Sequence, residues 1–184
     1  TDLSLMSIEE IVTFLKTWQP SDSSRSPSLE GLGRELTALV TSDPERFAIN
    51  AGQFQGLDPT YVRALPSGLR DAVKQQRPFS WRPVLELCRW VMVQPREIPG
   101  RKSEYSDLDP GWVWARGAIA DLLNAGFEVG SANISLDLRT LAWEVLKPIT
   151  DDPQPTPEDE ARQGGSNMDP ASRSINTTRG KAMH

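Results

Sequence analysis

The chain has 184 residues, of which 38% are hydrophobic, and a net charge of −5 at pH 7. This length is sufficient for one domain with a sizeable core. The acidic balance argues against nucleic acid or an anionic membrane as a partner, since both need clustered Lys and Arg. The lone Cys88 cannot form an internal disulfide, and no run of about 18 apolar residues occurs. We therefore expect a cytoplasmic protein that does not span a membrane.

Apolar residues recur every three or four positions along most of the chain, which is the period of an α-helix. No segment alternates between apolar and polar residues in the manner of a β-strand. We therefore predict an all-α fold. The predicted helices are Ser7–Trp18, Leu29–Val40, Pro44–Phe54, Pro59–Gln75, Trp81–Val93, Trp112–Ala125 and Leu136–Lys147.

Polar residues and prolines predict where these helices begin and end. Ser7 and Glu10 match the Ser-x-x-Glu capping box, in which each side chain accepts from the backbone N–H of the other residue. Pro66 lies inside a predicted helix and indicates that this helix is kinked or split, whereas Pro148 predicts the end of the last helix. The other predicted caps are Ser28, Asp43, Asp58, Ser80 and Ser135.

The helix predicted at Trp81–Val93 is apolar on several sides, so we expect it to be the most buried. Cys88 lies on it and is interpreted as a small buried hydrophobic residue. Trp112, Trp114 and Trp143 fit either an exposed aromatic platform or packing between helices, and packing is the favoured interpretation.

Three apolar stripes, starting at Leu29, Val62 and Trp112, share the offsets 0, 3, 7, 10 and 11. Such similarity is typical of stacked antiparallel helix pairs, as in a segment of a HEAT-like solenoid. We expect the helices to pair in chain order, the first with the second, the third with the fourth and the fifth with the sixth. The seventh helix would pair with the chain end, where Thr177–Met183 shares an Arg-Gly pair with Trp114–Ile119.

These patterns divide the chain into three parts. Residues 1–149 are predicted to form a helical-repeat domain. Residues 150–174 hold several prolines, a Gly pair and many charges, so we expect a mobile linker. Residues 175–184 are interpreted as the truncated start of a further helix. Because the chain also lacks an initial Met, we expect it to be an excised segment of a larger protein.

The sequence contains no set of residues that matches a catalytic, cofactor or metal motif. His184 is the only histidine and is terminal, which argues against His-dependent catalysis and most zinc sites. Gly180-Lys181 lacks the preceding Gly and the following Ser or Thr of a P-loop. Glu9-Glu10 fits dipole complementation at a helix start better than acid–base chemistry. We therefore predict a non-enzymatic protein with no cofactor and no metal ion.

One basic loop is the candidate interaction surface. Arg96, Arg101 and Lys102 lie close together in the sequence, with Tyr105 nearby. Such a loop can contact a phosphate or an acidic partner, or it can be an ordinary solvated loop. The arginines expected to pair with carboxylates inside the fold are Arg116 and Arg179.

Several short motifs occur in a suggestive order: Ser28-Leu-Glu-Gly-Leu, Trp81-Arg-Pro-Val-Leu, Trp114-Ala-Arg-Gly and Asn176-Thr-Thr-Arg-Gly-Lys-Ala-Met. This order resembles the helical region of large multidomain bacterial proteins, namely defence or signalling NTPases with HEAT-like C-terminal arrays. The resemblance implies a sensor or scaffold array, with the NTPase elsewhere in the parent chain.

Three functional hypotheses follow from these observations. The first is a non-enzymatic scaffold that binds a protein partner or other domains of its parent chain. The second is a segment that contacts nucleic acid through the Arg96–Lys102 loop. The third is a contribution to a composite active site in the parent protein.

Overall fold

The computed structural model describes residues 2–19, 28–101, 111–128, 130–153, 156 and 177–182. These residues form eight α-helices and three 3-10 helices, and none of them belongs to a β-strand. The β-pairing among them is one isolated bridge between Glu97 and Gly111. The predicted all-α class is therefore confirmed.

The α-helices are α1 (Ile8–Thr17), α2 (Leu29–Ser42), α3 (Pro44–Ile49), α4 (Pro59–Lys74), α5 (Trp81–Met92), α6 (Val113–Phe127), α7 (Arg139–Thr150) and α8 (Thr178–Ala182). The 3-10 helices are Leu3–Leu5, Ala51–Phe54 and Leu136–Leu138. Within the described part of the chain, no helix combines the length and the apolar character that crossing a membrane requires.

The helices alternate between two rows. Helices α2, α4, α6 and α8 pack side by side in that order, and α3, α5 and α7 form a second row against them. The pairing predicted for α3 with α4 is present. The pairing predicted for α1 with α2 is wrong, because α1 packs mainly on Ala51–Phe54. Helix α5 does contact α6, but it packs more extensively on α7 in its own row.

Helix α4 lies at the centre of the fold, between α2 and α6. Eleven of its sixteen residues are buried, compared with seven of twelve in α5. The prediction that α5 is the most buried helix is therefore wrong. Apolar content alone does not predict this burial, because α4 also buries small or polar residues, among them Thr60, Ala64 and Gly68.

Small residues on α2 and α4 let these two helices approach closely. A Cβ atom at Gly68 of α4 would lie 2.7 Å from the Thr37 carbonyl oxygen and 2.7 Å from Cβ of Val40. At the other end of the interface, a Cβ at Gly33 of α2 would lie 3.2 Å from Cγ2 of Thr60. Only glycine fits at Gly68 without movement of the α2 backbone.

Two prolines do not interrupt their helices. Helix α4 runs without a break through the buried Pro66, so of the two expected outcomes, a kink or a split, the split is wrong. Helix α7 likewise continues through Pro148 to Thr150. A proline inside a helix costs about 3 kcal/mol. Because both helices are packed along their length, tertiary contacts offset this cost.

Local caps define some helix starts, and a tertiary contact defines another. The Ser7–Glu10 capping box is present, and the Ser28 hydroxyl accepts from Gly31 N–H at 2.9 Å. Ser80, Asp43 and Ser135 make no capping hydrogen bond to their own helices. Instead, the Glu45 carboxylate accepts from the backbone N–H and the hydroxyl of Ser80, at 2.6 and 2.7 Å. The start of α5 is therefore capped by a residue of α3.

The α2–α4 contact predicts a specific sensitivity to side-chain volume. Gly68→Ala should lower the free energy of unfolding by about 2 kcal/mol, because overpacking outweighs the helix propensity that alanine adds. Gly52→Ala is the control, since a Cβ there meets nothing within 4 Å. It should leave stability unchanged or raise it slightly. Urea unfolding measures both variants, and a Gly68→Ala protein as stable as the wild type would contradict the packing described.

Candidate interaction surface

Arg96, the first residue of the predicted basic surface, is paired inside the fold. Its guanidinium hydrogen-bonds the carboxylate of Asp152, a residue that is only 3% exposed. The Arg96 carbonyl accepts from the Trp112 N–H at 2.9 Å. A Cβ at Gly111 would collide with that carbonyl, at 1.9 Å. The loop after α5 is therefore held against the start of α6.

Arg101, the second predicted residue, pairs with the residue that caps α4. Its two terminal nitrogens donate to both carboxylate oxygens of Asp58, at 2.6 and 2.9 Å. The same carboxylate accepts from the Thr60 N–H at 2.9 Å. Burial acts to raise the pKa of Asp58, but the hydrogen bonds from Arg101 and Thr60 outweigh it, and the pKa is lowered.

Lys102 and Tyr105 lie outside the described residues. The four residues therefore remain a predicted interaction surface. The two arginines within the described part of the chain each face a carboxylate of the same chain, which neutralises much of the charge that this loop would present to a ligand.

Arg116 stabilises a helix end. Its guanidinium donates to the carbonyls of Met92 and Gln94, at 3.1 and 2.9 Å, and so satisfies backbone acceptors at the end of α5. Burial lowers the pKa of Arg116, and the nearby Arg96 lowers it further. The carboxylate pair expected for Arg116 is not among its hydrogen bonds in the described part of the chain, although Asp152 is close enough to act on its charge.

The burial of Asp152 bears on where the folded part of the chain ends. The helical domain was expected to end at residue 149, with a linker at 150–174. Asp152 is buried and ion-paired, so the folded part extends at least to this residue. Most of the predicted linker lies outside the described residues, and its mobility remains a prediction.

Two other groups raised by the sequence have pKa shifts that fit structural roles. The Glu10 carboxylate accepts from the Ser7 N–H at 2.7 Å, which lowers its pKa, whereas a general acid needs a raised one. Burial raises the pKa of the Cys88 thiol to about 12, as predicted for a packing residue. Among the described residues, no three His, Cys, Asp or Glu side chains are placed to hold a metal ion.

The three tryptophans have different environments. Trp112 is buried and meets Trp90 edge-on, with ring centroids 5.2 Å apart. Trp114 lies under the Arg63 guanidinium, which is 5.1 Å from its ring centroid. Trp143 on α7 is 55% exposed. Packing is thus confirmed for Trp112, and Trp143 is instead a surface residue.

An exposed strip on α7 combines apolar and basic side chains. Leu136 lies in the 3-10 helix that precedes α7, is 73% exposed and, like Trp143, lies off the buried stripe of this segment. Arg139 and Lys147 flank Trp143 at a spacing of four residues and are exposed. We call Leu136, Arg139, Trp143 and Lys147 the α7 strip.

The charges next to the α7 strip are not balanced. Glu144 and Asp137 lie 3.2 and 3.9 Å from arginines of α5. No ion pair of Arg139 or Lys147 is found among the residues that the structure describes. The strip therefore offers a tryptophan between two basic groups and a leucine beside the first of them, a combination of apolar and positively charged groups.

Sequence reasoning missed this strip, although a signal was present. The buried residues of α7 and its preceding turn are Leu138, Ala142, Val145 and Ile149. Trp143 and Leu136 lie off that stripe, which indicates exposure. Trp143 was nevertheless assigned to packing, because large aromatic residues are usually more buried than this one.

The Arg101–Asp58 pair predicts a pH-dependent stability. Because the pKa of Asp58 is lowered in the fold, its contribution is present above the unfolded value of about 3.9 and is lost as pH falls below it. Arg101→Gln should lower the free energy of unfolding by about 1–2 kcal/mol at pH 7. The difference from wild type should shrink below pH 4. Arg82→Gln, which breaks an exposed 3.9 Å pair, is the control and should change little.

The buried carboxylate at Asp152 predicts a contrast between two neighbouring residues. Asp152→Asn should lower the free energy of unfolding by about 2 kcal/mol, since it removes the charge that faces Arg96 in a buried position. Asp151→Asn changes an exposed aspartate next to it and should have little effect. Thermal or urea unfolding compares them, and equal losses would show that Asp152 has no special role.

Comparison of the chain with protein-family models, with curated proteins and with solved structures finds no significant match in any of the three.

Proposed function

We propose that this chain is a non-enzymatic helical-repeat scaffold or sensor segment of a larger bacterial protein, and that its α7 strip binds a protein partner or a neighbouring domain of the parent chain. The observation that carries this proposal is the exposure of Trp143 between the basic residues Arg139 and Lys147 of α7, with the exposed Leu136 just before them in the chain. Exposed tryptophans at such positions contribute strongly to protein–protein binding.

The alternation of the helices supports the repeat interpretation. In a HEAT-like solenoid, successive helices alternate between two rows, and each helix packs on the next one of its own row. The order α2–α4–α6–α8 in one row and α3–α5–α7 in the other has this character. The Arg-Gly pairs of α6 and α8 support it further, since these two helices are neighbours in the first row.

The charges of the α7 strip favour an acidic partner segment. Arg139 and Lys147 stand on either side of Trp143, so a helix with an apolar residue between carboxylates would meet complementary groups along its length. Nucleic acid has the charge for this strip but lacks aliphatic side chains to cover Leu136. A protein segment with both features fits the strip better.

The Arg96–Lys102 loop remains the basis of the alternative, a contact with nucleic acid. The pairing of Arg96 with Asp152 and of Arg101 with Asp58 leaves this loop fewer uncompensated charges than the sequence indicates. A contribution to a composite active site of the parent protein is the third hypothesis. A location in the cytoplasm is proposed from the single cysteine.

A pair of designed peptides tests the proposal. One is a short helix with two apolar anchors among Glu residues, and the other has Lys in place of each Glu. We expect the acidic peptide alone to shift the NMR signal of the Trp143 indole N–H. Trp143→Ala should weaken its binding at least tenfold, and the double variant Arg139→Glu/Lys147→Glu should prefer the basic peptide.

The matched control is Ile49→Ala, because Ile49 of α3 is also 55% exposed but lies away from the strip. It should bind the acidic peptide like the wild type. Equal binding of both peptides, or an equal loss in the control, would contradict the proposal. Salt-dependent DNA or RNA binding that is lost in Arg101→Glu/Lys102→Glu would favour the alternative.

A further inference from the structure

The last helix, α8, is held in a defined seat on α6. Lys181 Nζ lies 2.8 Å from Oδ2 of Asp121, and the Asn124 side-chain amide donates to the Lys181 carbonyl. A Cβ at Gly117 would lie 3.8 Å from Lys181 Nζ, an ordinary van der Waals distance, so the lysine side chain passes directly beside Gly117. Gly117, Asp121 and Asn124 are four and three residues apart and share one face of α6. We call these three residues the α8 seat.

Helix α8 depends on this seat for its structure. It has only five residues, and an isolated helix of that length is not stable in water. Its one local cap is the Thr177 hydroxyl, which accepts from the Gly180 N–H at 2.9 Å. The ordering of α8 therefore comes from contacts with α6 and α7.

The connection to α8 is much longer than the geometry requires. Helix α7 ends at Thr150, α8 begins at Thr178, and the two helices touch, so the 27 residues of 151–177 join neighbouring elements. Helix–helix connections of about 2–8 residues are usual. Because Asp152 is packed in the fold, 25 residues (153–177) are left, and a chain of that length can span up to about 80 Å when extended. The length of this connection therefore also allows α8 to reach the α8 seat of a second molecule.

We propose that α8 is an exchangeable element, and that the α8 seat recognises the α8 of a second copy of this chain. Reciprocal exchange gives a closed, twofold dimer in which each α8 makes the same contacts as in the monomer. The equilibrium between the monomer and the exchanged dimer then depends on the connection between α7 and α8. An intramolecular segment has an effective concentration in the millimolar range or below. The wild-type chain is therefore a monomer at micromolar concentration and pairs as its concentration approaches that range.

Two full-length charge-reversal variants test the exchange. In Asp121→Lys the seat repels the chain's own Lys181, and in Lys181→Asp the helix is repelled by its own Asp121. Each variant disfavours the seating of α8 within one molecule, because like charges then face each other, and each carries the seat whose charge complements the other's helix. Arg70 lies 3.9 Å from Asp121 and keeps its 2.8 Å pair with Asp71, so the change at 121 leaves it with a partner.

Sedimentation equilibrium should find each variant monomeric alone and a one-to-one dimer in the mixture at tens of micromolar. The double variant Asp121→Lys/Lys181→Asp restores the pair within one chain and should be monomeric. A mixture that contains only monomers, while circular dichroism reports both variants folded, would overturn the proposal. So would a dimer that forms equally in either variant alone. This outcome is independent of Trp143, so it is separable from the test of the α7 strip.

Discussion

The close packing of α2 on α4 is the constraint on which the rest of the structure depends. Thr60, Ala64 and Gly68 recur every four residues on α4 and are buried, so this side of the helix carries no long side chain. At Gly68 the backbone of α2 is so near that a Cβ would stand 2.7 Å from a carbonyl oxygen. With α4 held on this side, α6 packs on its other side, and both rows extend from there.

Charged side chains link the neighbouring helices of the first row. Arg63 of α4 donates to both oxygens of Glu30 on α2, at 3.0 and 2.8 Å, and also covers Trp114 of α6. Asp121 of α6 faces Lys181 of α8 in the same way. These groups are partly exposed, so each pair contributes little stability. They connect α2 to α4, α4 to α6 and α6 to α8 at specific positions along these helices.

Parts of the fold were predictable where a local signal decided the outcome. The Ser7 capping box and the Ser28 cap predicted helix starts that the structure confirms. The candidate site was less predictable. Arg101 is bound by Asp58, which is 43 residues away, and no local pattern indicates that pair. Trp143 lies off the buried stripe of α7, but its exposure depends on whether another element packs over it, and helical periodicity carries no information about that.

By itself, the sequence determined the helical class, the number of major helices and several of their starts, because the helical period and capping side chains act within a few residues. Only the tertiary structure decided that α4 is central, that α4 and α7 continue through Pro66 and Pro148, and that Glu45 caps α5. These features depend on contacts between residues far apart in the chain. Their energies offset local preferences of a few kcal/mol, such as the cost of a proline inside a helix.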